Sequence, residues 1–125
     1  MSELDAVFVC DGDVLADGGR GVRFRLCAFG QPASGFVVRY QGQAVAYLNR
    51  CAHVPIELDW NEGEFFTAGG EHLMCATHGA LYAPGSGRCV GGPCRGGRLH
   101  PIAVQERAGK IYWLPDGQFQ ALAME

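Results

Sequence analysis

The chain has 125 residues, 48% hydrophobic and 18% charged, with 10 Lys and Arg against 13 Asp and Glu for a formal charge of −3. That length fits one domain and is too short for two independent catalytic domains, while the mildly acidic balance leaves no basic nucleic-acid footprint for the chain as a whole. The longest purely apolar runs, Ala6 to Cys10 and Ala44 to Leu48, are far below the roughly 20 residues of a membrane span.

Helical periodicity is weak, and the predicted elements are strands. In chain order they are Ala6–Cys10, Val22–Ala28, Phe36–Tyr40, Ala44–Asn49, Glu71–Cys75, Pro101–Glu106 and Lys110–Leu114. Each is short, rich in Val, Phe and Tyr, and bounded by Gly, Pro, Asp or Asn. Gln41-Gly42-Gln43 reads as a hairpin turn and Arg107-Ala108-Gly109 as another. With no repeat or linker, the expectation is a single all-β antiparallel domain over residues 1–125, a small sandwich or barrel. Glu3 and Asp5 stand where a signal peptide would carry positive charge, so a cytoplasmic protein without a membrane or nucleic-acid partner is expected.

Glycine is concentrated at Gly79, Gly85, Gly87, Gly91, Gly92, Gly96 and Gly97, with Pro84 and Pro93 among them. No regular strand or helix is expected there. The stretch is either a flexible surface loop or a tightly turned backbone packed over something. Its neighbours favour the second reading.

Cys51-Ala52-His53 is followed, after 21 intervening residues, by Cys75-Ala76-Thr77-His78-Gly79. Each segment supplies one thiol and one imidazole, both strong ligands for transition metals. Structural zinc sites usually place two Cys on one segment and two His on the other. Mixed segments suit a binuclear centre with unlike ends. That ligand set is the one of a Rieske centre, in which two His replace two Cys on one iron of a [2Fe–2S] cluster.

At these residues the sequence resembles the Rieske family, particularly its small ferredoxins. The two boxes match C-x-H and C-x-x-H-G, and Leu81-Tyr82 falls where the family has an apolar residue and an aromatic. Gly85 to Pro93 resembles the loop that covers the cluster, and Leu99 to Trp113 resembles the closing hairpin. The resemblance implies three stacked antiparallel sheets with a cluster-binding subdomain at about residues 50–97. It assigns Cys51 and Cys75 to the inner iron and His53 and His78 to the outer one. Gly79, Tyr82 and Pro93 are expected around them. The spacer between the boxes is longer than in many such ferredoxins, so an enlarged hairpin is expected there. The extra loop-bridging cysteines of the respiratory relatives are absent.

Imidazole ligands make the cluster less negative and easier to reduce, within a family range of about −150 to +300 mV. High-potential relatives carry a Ser two residues after the second His, where this chain has Ala80. The Tyr82 hydroxyl can donate a compensating bond, so a low-to-intermediate potential is expected, falling at alkaline pH as bound imidazole loses its proton. Four protein ligands leave no open coordination site, and no nucleotide or HExxH motif is present. The implied activity is one-electron transfer rather than catalysis, between a reductase and a terminal oxygenase or similar acceptor. A permanent relay subunit of a larger complex and a zinc-stabilised binding module are the alternatives.

Cys89 and Cys94 read as two thiols packed beside the cluster, with a loop disulfide or a second metal site as alternatives. Cys10 and Cys27 read as core residues, and His72 and His100 as non-ligands. Trp60, Phe65 and Phe66 are expected in the core or, alternatively, in a docking patch. Glu57, Asp59, Glu62 and Glu64 read as a solvated face, or as a steering patch for a basic partner.

Overall fold

The computed structural model describes residues 6–52, 56–59 and 61–121. Its strands are β1 (Val7–Asp11), β2 (Val22–Ala28), β3 (Gln31–Tyr40), β4 (Gln43–Leu48), β5 (Leu73–Met74), β6 (Leu81–Tyr82), β7 (Cys89–Gly91), β8 (Pro101–Ile102), β9 (Val104–Arg107), β10 (Lys110–Trp113) and β11 (Phe119–Gln120). They form three sheets, in the orders β1-β10-β9, β11-β2-β3-β4-β8 and β5-β6-β7. Every pairing between these strands is antiparallel. The all-β expectation of three antiparallel sheets holds.

The period-two alternation of the central strands decides the layering. Along β3, Phe36 and Val38 point into one core and Val37 into the other; along β4, Tyr47 joins the first core while Ala46 and Leu48 join the second. The five-stranded sheet is therefore buried on both faces and forms the middle layer. Ile111 and Trp113 of β10 close the second core from one side. Leu73 of β5 and Tyr82 of β6 close the first from the other, together with Leu58, Phe65, Cys51 and Cys75. Phe65 stacks on Phe36 with ring centroids 3.9 Å apart, so this spacer aromatic belongs to the core. Phe66 packs partly buried against it, and Trp60 lies outside the described residues.

Two-residue turns build the hairpins. Gln41 and Gly42 take φ of 52° and 81°, and Ala108 and Gly109 take 52° and 76°, the left-handed pair that matches the twist of the flanking strands. A third turn of the same kind, Phe29-Gly30, joins β2 to β3 and escapes a sequence reading because a bulky aromatic rarely occupies that conformation. β3 begins at Gln31 rather than Phe36, because Pro32 and Gly35, which argue against a strand in isolation, are both accommodated in the β2–β3 ladder. The β9–β10 hairpin occupies the expected C-terminal position.

Two expectations need correction here. Among its described residues, the spacer holds a rudimentary rather than an enlarged hairpin, closed by Met74 N–H to Phe65 O and Thr67 N–H to His72 O, both at 2.8 Å. Cys27 is only partly buried, on the face of β2 opposite the buried Leu26 and Ala28. Cys10, by contrast, packs against the second core as expected.

Candidate metal centre

At both cysteines the backbone N–H bonds the carbonyl five residues on, which closes a turn in the same way. The Cys51 N–H donates to the Ile56 carbonyl at 2.7 Å, and the Cys75 N–H donates to the Ala80 carbonyl at 2.9 Å. A further bond, Ala76 N–H to Leu58 O at 3.0 Å, ties the second turn to the segment following the first. These closures tuck Cys51 and Cys75 inward, 3% and 0% exposed. The next residues, Ala52, Ala76, Thr77 and His78, are exposed. Gly79, with φ of 77°, reverses the chain after His78, and its N–H donates to the Cys75 carbonyl at 2.9 Å.

The two sulfurs adjoin each other beneath Tyr82. The Tyr82 hydroxyl accepts the Ala52 N–H at 2.9 Å and lies 3.2 Å from Cys51 Sγ. With its oxygen engaged by the backbone, its own proton is free to point at the sulfur. Burial, followed by the bond to Cys51, pushes the Tyr82 phenol well above its ordinary pKa, so it is a protonated donor at neutral pH. At the second cysteine, burial pushes the thiol up, the Thr77 backbone N–H pulls it down, and the adjoining Cys51 thiol pushes it up again. The His78 N–H also bonds this sulfur.

This donor set fits a thiolate-held metal centre. Two neighbouring buried sulfurs resist ionisation together unless a bound cation compensates their charge. Backbone N–H and phenol donors aimed at sulfur are the groups that stabilise thiolate ligands. Neither Cys51 nor Cys75 is disulfide-bonded. His78 lies on the exposed rim of its turn, and His53 lies outside the described residues. Among the described residues, no three metal-ligating side chains gather closely enough to hold one ion.

The glycine-rich stretch is tightly turned rather than loose. It contains the short strands β6 and β7, against the expectation of no regular structure, because pairing to β5 supplies partners that the local sequence does not reveal. A Cβ at Gly92 would lie 2.7 Å from the Gly79 carbonyl oxygen, so this loop rests directly on the second turn. Pro93 stiffens it from an exposed position in a single 3-10 turn, Gly92–Cys94.

That turn doubles the chain back, bringing Cys89 and Cys94 to a Cα separation of 5.7 Å, and the two form a disulfide. The reading of two free packed thiols is thereby corrected. Spacing alone does not reveal whether the intervening backbone reverses. Cys94 is buried in the first core beside Cys51 and Cys75.

In the acidic group near the first turn, Glu57, Glu62 and Glu64 are exposed as on a solvated face, and Asp59 alone is corrected. Asp59 is buried: its carboxylate accepts Asn49 Nδ2 at 2.9 Å and the Gly63 N–H at 3.0 Å, with Arg23 Nε 3.7 Å away. Asn49 Oδ1 in turn accepts the Leu58 N–H at 2.9 Å. Glu57 bonds Ser34 and pairs with Arg23, while Glu64 pairs with Arg20. The Asn49–Asp59 pair fixes the segment leaving the first turn. Its only signal in the sequence is a polar residue ending an apolar strand. The His100 ring packs edge-on against Phe29, and the His72 carbonyl accepts the Thr67 N–H in the spacer hairpin.

No curated protein matches the sequence significantly. Among solved structures, the chain is similar to the ferredoxin of carbazole 1,9a-dioxygenase from Nocardioides aromaticivorans IC177, at 23% identity and a TM-score of 0.69. That match covers 89% of this chain and 98% of the other. Similarity to a Sphingomonas yanoikuyae B1 ferredoxin is 18% identity at a TM-score of 0.67, covering 89% and 99%. The terminal oxygenase of the Nocardioides carbazole enzyme aligns at 17% identity and a TM-score of 0.68, over 94% of this chain but 32% of its own. These likenesses concern the fold. Residues 6–106 match the family model described as the Rieske [2Fe-2S] domain, and with most of its length so matched the chain belongs to that family.

Proposed function

We propose that the chain is a one-electron carrier rather than an enzyme, holding a single [2Fe–2S] cluster. Cys51 and Cys75 would bind one iron, and His53 and His78 the other, within a unit spanning about residues 50–97. The observation that carries this reading is the pair of matched turns that sets the Cys51 and Cys75 sulfurs together beneath the Tyr82 hydroxyl. When bound, such a cluster supplies reversible one-electron oxidation and reduction. The protein's part is to keep water from the buried sulfurs, direct hydrogen bonds at them, and present the His78 rim to a partner.

The expected partners are a reductase that donates electrons and a terminal oxygenase, or similar acceptor, that takes them. Support comes from the likeness to nearly the full length of a carbazole dioxygenase ferredoxin and to only a third of an oxygenase. Among the described residues, the exposed large apolar side chains Phe8, Val14, Phe29 and Val90 belong to separate elements. Scattered apolar groups favour transient encounters over a permanent subunit interface. The cytoplasm is the expected compartment, and no helix among the described residues is long and apolar enough to cross a membrane.

The deciding experiment is an EPR spectrum of the dithionite-reduced protein with iron and acid-labile sulfide analysis. Mixed His and Cys ligation with two irons per chain is expected. A colourless zinc protein, or an all-cysteine spectrum, would overturn the proposal.

A further inference from the structure

From His72 through Gln105 the sequence contains no Asp or Glu, yet Arg88, Arg95 and Arg98 fall inside that stretch and Arg50 immediately precedes Cys51. The fold draws them together. Arg88 and Arg98 are partners in an antiparallel bridge, which directs paired side chains to one face. The β4–β8 ladder runs on through Leu48 N–H to His100 O at 2.8 Å, a register that leads Arg50 toward Arg98. The loop carrying Arg95 meets the first turn, since a Cβ at Gly97 would lie 2.9 Å from Ala52 Cβ.

All four arginines are exposed. Among the described residues none of them pairs with a carboxylate; Arg98 donates only to the Ser86 carbonyl, at 3.3 Å. Elsewhere Arg20, Arg23, Arg39 and Lys110 hold acidic partners, and Arg25, with no carboxylate partner among the described residues, stands on β2, far along the chain from Arg50, Arg88, Arg95 and Arg98. The molecule thus carries uncompensated positive charge beside the two turns while its total is −3.

We propose that Arg50, Arg88, Arg95 and Arg98 form a docking face for an acidic surface on the electron-transfer partner. This rests on the carrier reading. An acidic partner repels the chain as a whole, so attraction is confined to the arginine side and orients the encounter with the two turns inward. Guanidinium groups suit this role because their planar donor fork matches carboxylate geometry. A polyphosphate strand is the poorer fit, since the net negative charge opposes it and four arginines release few counterions.

The test uses two probes. Reduced holoprotein is oxidised in a stopped-flow instrument by hexacyanoferrate(III), a trianion that takes one electron from the protein to become hexacyanoferrate(II). Raising ionic strength from about 10 to 300 mM should slow this reaction several-fold, because salt screens a local attraction. Paired Arg88→Glu and Arg98→Glu changes should reverse the trend, whereas Arg88→Lys with Arg98→Lys should preserve it. A wild-type rate that rises with salt, as the net charge alone requires, would overturn the proposal.

Binding of a fluorescent polyglutamate peptide, read by anisotropy, does not depend on a cluster. The glutamate variant should lose about tenfold in affinity, while Arg25→Glu, an exposed arginine on β2, should lose little. Equal losses, or tighter binding of duplex DNA to the same face, would overturn the assignment. Protein that lacks a cluster defeats the carrier reading, while the peptide result still judges the arginine face.

Discussion

The Tyr82 hydroxyl stands between the backbone and the sulfur of the first turn, accepting from Ala52 and facing Cys51 Sγ at 3.2 Å. If Cys51 holds a cluster as proposed, a donor at its sulfur stabilises the more electron-rich, reduced state. Tyr82→Phe keeps the buried ring and removes only that donor. At about 0.5–1.5 kcal/mol per hydrogen bond, the reduction potential should fall by roughly 20–65 mV. A redox titration of the variant, followed by circular dichroism, checks this. An unchanged potential would mean that the hydroxyl serves only the Ala52 N–H.

The Cys89–Cys94 disulfide closes the loop that rests on Gly79 and Ala80. Its ring is short, so the chain-entropy gain is modest, about 2 kcal/mol. Cys89→Ser with Cys94→Ser should lower the thermal midpoint by roughly 5–10 °C. Adding dithiothreitol should lower the wild-type midpoint in the same direction and leave the variant untouched. If the reductant shifts both proteins alike, its effect lies at Cys51 and Cys75 rather than in the loop.

Asp59 and Asn49 form a closed hydrogen-bonded unit beneath the first turn. Asp59→Ala would strand the Asn49 amide and the Gly63 N–H in the interior and deprive Arg23 of one partner. Unsatisfied buried groups of this kind cost about 3 kcal/mol in total. Asp59→Asn, which keeps an acceptor, should cost less. Urea unfolding of the three proteins ranks them, and an Asp59→Ala loss no larger than that of an exposed Glu62→Ala change would return Asp59 to the solvated surface.

Much of this was legible in the residues. Val22–Ala28 was recognisable from its length, its Val and Phe, and the bounding Gly21 and Gly30, and it coincides with β2. The inward tuck of Cys51 and Cys75 was foreshadowed by two boxes at strand ends. Features that depend on partners remote in sequence were not legible. β6 and β7 exist because β5 lies beside them. Asp59 looks like one of four surface acids until Asn49 is brought to it from the end of β4. Cys89 and Cys94 looked like packed thiols because nothing in their spacing announces the 3-10 turn between them. The arginine row was hidden for the same reason, its members being brought together from separate segments of the chain.

Arg39 clamps the outer sheet to the middle one, and this predicts an acid limb of stability. From β3 its guanidinium donates two bonds of 2.9 Å to Glu106 on β9, with further bonds to the Leu15 and Gly12 carbonyls. The hydrogen bond from Arg39 holds the Glu106 carboxyl below its ordinary 4.5, outweighing a small desolvation that acts the other way. A carboxyl that is more acidic when folded binds its proton more readily in the unfolded chain. Its contribution is therefore complete above the ordinary carboxylate value and disappears as pH falls through the lowered native one. The pair is partly exposed and screened, so the contribution should stay below about 1 kcal/mol. Glu106→Gln should be less stable than wild type at pH 7, with the gap closing between about pH 5 and pH 3. Denaturant unfolding across that range measures it. A gap that persists undiminished at low pH would place the effect in packing around Gly12 instead of in the charge of Glu106.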